Sequence, residues 1–216
     1  MYKNENDTTT AQSIALWADK LRDIAASGLR FSNNVHDQEN YQTIQNIAIE
    51  MFALSVGQTT EQIEPLRDPI FSRRTPLILG DAAVIRDGGQ LLLIQRVGSG
   101  CWALPGGAFA VGETPASGVA REVLEETGVQ CIPTKLVGVY DSQVGRGSSP
   151  QHQYNILFLC QYVSENVEDA SHKVETLNSG WFEQTDLPSP LEPSHQRRVQ
   201  DAFRAWHGHE SAYFDI

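Results

Sequence analysis

Glu122, Glu125 and Glu126 stand at i, i+3 and i+4 in the stretch that runs from Gly106 to Val129. On a helix this spacing puts three carboxylates on one face, a few ångströms apart. Like charges stacked in this way repel. A hard divalent cation removes the repulsion and takes the oxygens as ligands. The Gly106-Gly107 pair just upstream permits unusual torsions and close backbone approach, so its carbonyl can reach the same cation. Arg121 can pair with Glu113 and hold the preceding loop against the helix. A solvated acidic helix is the plainer meaning of Glu-x-x-Glu-Glu taken alone, so the surroundings must decide.

The elements that would carry these residues are bounded by their own sequence. Thr114 is a good N-cap, Pro115 suits the first helical position and Gly128 suits the C′ position, which predicts a helix over 114–127. Val119 and Val123, with Ala116 and Ala120, offer its apolar side to a sheet. Strands are expected at 82–85 and 91–94, joined by the tight turn Asp87-Gly88-Gly89, and again at 131–140, 154–162 and 180–182. A last helix is expected over 194–206. Strands interrupted by helices in this irregular order read as α+β.

Upstream, Ile14, Trp17, Leu21 and Ile24 recur at helical steps over 12–29, with Gly28 placed as a stop. Tyr41, Ile44, Ile47, Ala48 and Met51 do so over 37–56, with Asp37 as N-cap and Gly57 as stop. These helices predict an αα-hairpin within a small helical domain, residues 1–60. Residues 61–75, with Pro65 and Pro69, read as a linker, and 76–216 as the main domain.

The box itself removes the bland alternative. Gly107, five residues, Glu113, seven residues, Arg121-Glu122, Val123, one residue, Glu125-Glu126, one residue, Gly128-Val129 resembles the Nudix box position for position. At average residue frequencies such a match arises by chance with probability on the order of 10⁻⁷. The resemblance implies an α/β/α sandwich around a mixed sheet. It implies an enzyme that sends water onto one phosphorus of a diphosphate with the help of Mg²⁺ or Mn²⁺. Glu122, Glu125 and Glu126 would be metal-binding carboxylates, the Gly106 carbonyl a further metal ligand, and Arg121 with Glu113 a stabilising pair. The family's general base varies; in several members it is a glutamate on a late loop, which here points to Glu175, with Glu125 as the next candidate.

The longer pattern resembles a bacterial subgroup with a helical N-terminal extension, whose members include hydrolases of CDP-choline and ADP-ribose. It rests on the hairpin around Trp17, Leu21 and Tyr41, the Trp102-Ala-Leu-Pro-Gly-Gly entry and Val139-Tyr140-Asp141. It implies a homodimer and a small-molecule nucleotide substrate. Neither the proline of many ADP-ribose hydrolases nor the tyrosine of dinucleoside polyphosphate hydrolases stands at its usual offset after the box. Substrate contacts are expected from Arg74, ahead of the first strand, and from His152 and Tyr154, which follow a polar loop at 145–150 that would serve as a lid.

Composition narrows the partners. A formal charge of −11 repels a nucleic-acid backbone, which argues against a DNA or RNA partner. Cys101, Cys131 and Cys160 form no CxxC pair and read as idle thiols. With no leader-like start and no run of about 18 apolar residues, a cytoplasmic protein without a membrane partner is expected. Two rivals remain: a non-catalytic Nudix-fold nucleotide sensor, and a hydrolase of nucleoside triphosphates or oxidised nucleotides.

Overall fold

The computed structural model describes residues 10–72, 76–142, 152–166 and 176–216. Residues 1–75 with 110–112 form one compact unit, and 76–109 with 113–216 the other.

The first unit is built on α1 (Thr10–Phe31) and α2 (Val35–Val56), an αα-hairpin closed by a three-residue turn. Two expected boundaries move. Gly28 does not stop α1: a Cβ there would lie 2.3 Å from the Tyr41 ring, so this glycine lets the two helices approach closely. Asp37 does not cap α2; Asn34 does, its side chain accepting from His36 N–H at 2.9 Å, which leaves Asp37 in the first turn. Gly57 ends α2 in the left-handed region, φ 67°.

The stretch read as a linker is helical over its first part. It contains α3 (Thr60–Ile63), a 3₁₀ turn at Glu64–Leu66 and a π-turn at Arg67–Phe71. Turns of three to five residues are too short to show a period. They are anchored by the buried Gln45, whose amide donates to Phe71 O at 3.2 Å and whose carbonyl accepts from Arg67 at 3.0 Å. Ile63 and Phe71 thereby join Ala48, Ile49 and Ala53 in this unit's core.

The second unit is a mixed sheet between two helices. β1 (Leu77–Arg86) lies in its interior. It pairs antiparallel with β2 (Gln90–Arg96) and with β4 (Gly106–Ala108), and β2 continues the sheet to β3 (Trp102–Ala103). After α4 (Pro115–Thr127), β5 (Val129–Asp141) pairs antiparallel with β6 (Gln153–Glu165), and β6 lies parallel to β1 from Leu77↔Gln153 to Ile85↔Gln161. β7 (Thr176–Phe182) pairs with β2, and after α5 (Pro193–Trp206) the short β8 (Tyr213–Phe214) lies parallel to β5.

Because side chains alternate along a strand, β1 serves both layers. Ala82 and Val84 pack with Val119 and Val123 of α4, whereas Ala83 and Ile85 pack with Val199, Ala202 and Phe203 of α5. Each fully buried valine contributes roughly 1.5–3 kcal/mol. This is the α/β/α sandwich that the box implied. Among the described residues no helix is long and apolar enough to cross a membrane, and Cys101, Cys131 and Cys160 are free thiols.

Candidate active site

Helix α4 is fixed at both ends by the residues that announced it. Thr114 Oγ1 accepts from Ser117 N–H at 3.1 Å, the Ser117 hydroxyl returns to Thr114 N–H at 3.0 Å, and Gly128 closes the helix at φ 75°. With Val119 and Val123 packed on the sheet, Arg121 runs along the flank and gathers the acids. Its Nε and Nη2 meet the two Glu113 oxygens at 3.1 and 2.9 Å, and Nη1 reaches Glu122 at 2.8 Å and Glu125 at 2.9 Å. The hydrogen bonds it donates to Glu113, then to Glu122 and Glu125, hold the guanidinium far above its ordinary pKa. Two glycines make room. A Cβ on Gly118 would sit 2.7 Å from a Glu113 oxygen, and one on Gly107 2.6 Å from a Glu122 oxygen.

Glu126 behaves differently. It is 9% exposed and accepts from Gly106 N–H at 2.8 Å. Burial pushes its pKa up to about 7, with Glu122 and Asp81 adding to the rise and the Gly106 N–H and Arg96 opposing it. Gly106 itself sits at φ 152°, where a Cβ would lie 2.0 Å from Gly80 O, so only glycine fits. In register it pairs with Asp81, whose carboxylate forms a buried ion pair with Arg198 of α5. The box turn therefore abuts a charged pair rooted in the opposite layer.

These residues border a cavity of about 740 Å³, within the size range of small-molecule sites. Gly106, Gly107 and Glu126 line one part, and Arg96, Arg197 and Arg198 supply the basic wall, with His195 beside them. The Arg96 side chain makes no hydrogen bond or ion pair among the described residues, and its charge acts on both Glu126 and His195. At the β5 and β8 side the lining includes Asp141 and Asp215, joined where Asp141 N–H donates to Asp215 at 2.7 Å. Tyr140 donates its hydroxyl to the buried Asp201 at 3.0 Å, and burial together with that carboxylate raises its pKa strongly.

The expected residues separate into groups. Arg121, Glu113, Glu122 and Glu125 are brought together, and Glu126 with Gly106 stands at the cavity. His152 and Tyr154 are not among its lining residues. His152 Nε2 meets Asp141 at 3.1 Å and its ring packs edge-on against the 37% exposed Tyr154, while the alternate residues Gln153 and Asn155 face the cavity. The two-residue period of β6 explains the exchange. Glu175, Arg74 and the loop at 145–150 lie outside the described residues. Asp81, Arg96, His195 and Arg198 also line the cavity and are not among the residues expected from the sequence. A signal existed in α5, where His195 and Arg198 occupy the same stripe as Val199 and Ala202, a place where polar residues need buried partners.

A divalent cation can be tested against this donor set. Among the described residues no three His, Cys, Asp or Glu side chains are gathered as a ready-made cluster. Arg121 draws Glu122 and Glu125 to itself, and Glu126 turns to Gly106. The donors are nonetheless all hard oxygens, and a carboxyl whose pKa is raised by burial, with like-charged neighbours adding to it, is what a cation relieves. The set fits.

The NUDIX domain model matches residues 78–203, and a model described as the UDP-X-like, N-terminal oligomerisation domain matches residues 12–66. YjhB of Bacillus subtilis (strain 168), named as a candidate ADP-ribose pyrophosphatase, is 33% identical over 177 residues, covering 82% of this chain and 83% of its own. A solved ADP-ribose pyrophosphatase from Streptococcus suis aligns with a TM-score of 0.56 at 28% identity, over 65% of this chain and 100% of that one. A solved UDP-X diphosphatase gives a TM-score of 0.60 over 96% of this chain and 100% of that one; at 22% identity this is a likeness of fold. With one domain model spanning more than half of the sequence and YjhB matching most of it, the chain belongs to the Nudix hydrolase family.

Proposed function

We propose that the protein hydrolyses the diphosphate linkage of a nucleoside diphosphate joined to a second group, of the ADP-ribose or CDP-choline type, with Mg²⁺ or Mn²⁺ as cofactor. The observation that carries this reading is the buried Glu126 beside the Gly106-Gly107 turn, opening on a cavity with a basic wall. Glu122, Glu125 and Glu126, with the Gly106 carbonyl, would hold the cation. When bound, it supplies neutralisation of phosphoryl charge and a lower pKa for the attacking water.

The remaining roles belong to the chain. Arg121 keeps Glu122 and Glu125 aligned and ties them to Glu113. Arg96, whose side chain has no ion pair among the described residues, offers its charge to a phosphoryl oxygen, and Arg74 is a further phosphate contact on sequence grounds. Glu175 takes the water proton, with Glu125 as the alternative base.

The extent of the cavity supports a conjugate over a bare triphosphate. From β4 across β1, β6 and β5 to β8 there are four strand spacings, about 19 Å at ~4.8 Å each. Asp141 and Asp215 at the far side oppose a further phosphate and suit a hydroxyl-bearing or cationic group. The ADP-ribose names among the relatives point the same way.

The helical unit is proposed to join two copies into a homodimer. Its resemblance to an oligomerisation domain and the exposure of Trp17, Ile24 and Leu54 support this. Sedimentation should then give about twice the chain mass; a monomer at micromolar concentration would refute it.

The function is tested by turnover with Mg²⁺ or Mn²⁺ on a panel of ADP-ribose, CDP-choline, other nucleotide sugars, nucleoside triphosphates and oxidised dGTP. A strong preference for one diphosphate conjugate is expected. Preference for a triphosphate, or no turnover of any compound by folded protein, would overturn the proposal.

A further inference from the structure

His195 is nearly enclosed, 3% exposed, yet only one of its ring nitrogens is used by the protein. Nδ1 accepts the backbone N–H of Leu104 at 3.1 Å. That N–H can only donate, so Nδ1 carries no proton and the ring hydrogen resides on Nε2. Nε2 has no partner among the described residues. The one fully enclosed side-chain nitrogen or oxygen left unpaired among them is Thr176 Oγ1, so His195 Nε2 must touch open space. His195 lines the large cavity, and that is the open space available. A buried polar group kept merely for packing has its hydrogen bonds satisfied internally; this one holds a donor in reserve.

The surroundings say what the donor would meet. Arg198 stands one turn along α5, and both Arg198 and Arg96 act electrostatically on the imidazole. Together with burial they hold its pKa well below the ordinary value, so the ring stays neutral and its tautomer does not change near neutral pH. Leu104 precedes the box turn by two residues, at most about 7 Å of chain from the Gly106 N–H that binds Glu126. A neutral N–H donor that shares the cavity lining with Arg96 and Arg198 matches an anionic oxygen.

We infer that His195 is a substrate-binding residue whose Nε2–H donates to a phosphoryl oxygen of the bound diphosphate, while Nδ1 fixes the chain leading into the Gly106-Gly107 turn. This rests on the proposed diphosphate substrate. It adds a contact from α5 that the box does not contain.

Two substitutions separate the two nitrogens. His195→Asn keeps an acceptor near the Nδ1 position and deletes the cavity donor; His195→Gln keeps a donor near the Nε2 position and deletes the acceptor. The probe is inorganic pyrophosphate with Mg²⁺, its affinity measured by calorimetry, alongside the melting temperature of each variant. His195→Asn should weaken pyrophosphate binding by about tenfold or more with the melting temperature kept, since hydrogen bonds to charged groups are strong. His195→Gln should bind within about threefold of wild type while melting lower. For a conjugate that the panel shows to be turned over, His195→Asn should raise KM and leave kcat nearly unchanged.

In the wild-type protein the ¹⁵N signal of His195 Nε2 should shift on adding pyrophosphate, a readout that does not depend on how the variants fold. An unmoved signal, unchanged affinity in His195→Asn, or losses that merely follow melting temperature in both variants would each overturn the inference. Hydrolysis of a conjugate by wild type alongside any of these results leaves the proposed function standing. A shifted signal with no conjugate hydrolysed leaves His195 in its role and removes the proposed function instead.

Discussion

Helices α4 and α5 cover opposite faces of one sheet with similar apolar stripes, yet they carry their charges in opposite ways. On α4, Arg121, Glu122 and Glu125 form a partly exposed ladder, and only Glu126 is buried. On α5, His195, Arg198 and Asp201 are all buried and tied to Leu104, Asp81 and Tyr140. Charges at a solvated flank exchange partners at little cost, whereas a buried pair that loses one member leaves the other stranded in low dielectric. One helix offers groups that can rearrange around an incoming ion or substrate, and the other sets a rigid frame against which they do so.

The contrast can be broken experimentally. The largest effect should come from α4: Glu122→Gln and Glu126→Gln should each lower turnover by roughly 10³-fold or more, with near-native melting. Steady-state kinetics beside thermal melts would check this, and wild-type rates in either variant would remove that residue from the machinery. On α5, Arg198→Met should cost about 3–5 kcal/mol in urea unfolding by stranding Asp81, and adding Asp81→Leu should restore most of it. If the single substitution is harmless, α5 is no frame.

Glu126 gives the next effect, in pH. Its folded-state pKa is about 7 against an ordinary 4.5, so between those values the folded chain holds a proton that the unfolded chain has released. Metal-free protein should therefore be most favoured by this group below about pH 4.5. It should lose stability, on the order of 3 kcal/mol, as pH climbs to about 7, with no further loss above. Urea unfolding of wild type against Glu126→Gln across that range isolates the slope, which should vanish in the variant. Mg²⁺ should raise the melting temperature of wild type more at pH 8 than at pH 6. The smallest effect sharpens the picture of α4 as self-bounded: Thr114→Ala should cost only about 1 kcal/mol of stability.

The same contrast explains what the sequence disclosed. The α4 ladder was legible because its partners lie within eight residues of Arg121 and its ends are written as Thr114-Pro115 and Gly128. The long strands were legible from their apolar runs. β3, β4 and β8, at two or three residues each, are too short to show alternation. His195 and Arg198 gave no local sign of their roles because Leu104 and Asp81 lie 91 and 117 positions away. Gly28 misled for a related reason: its meaning is the Tyr41 ring on the next helix.

The parallel pairing of β1 with β6 has a consequence for the protein's birth. Leu77 finds its partner in Gln153, so a ribosome adding roughly 5–20 residues per second needs about 4–15 s between the two. For that interval Ala82 to Ile85 waits with one edge unpaired and an apolar face toward solvent. The nascent chain is then most exposed to off-pathway association, and a synonymous change that slows translation between β1 and β6 would lengthen that interval without altering a single residue of the finished enzyme.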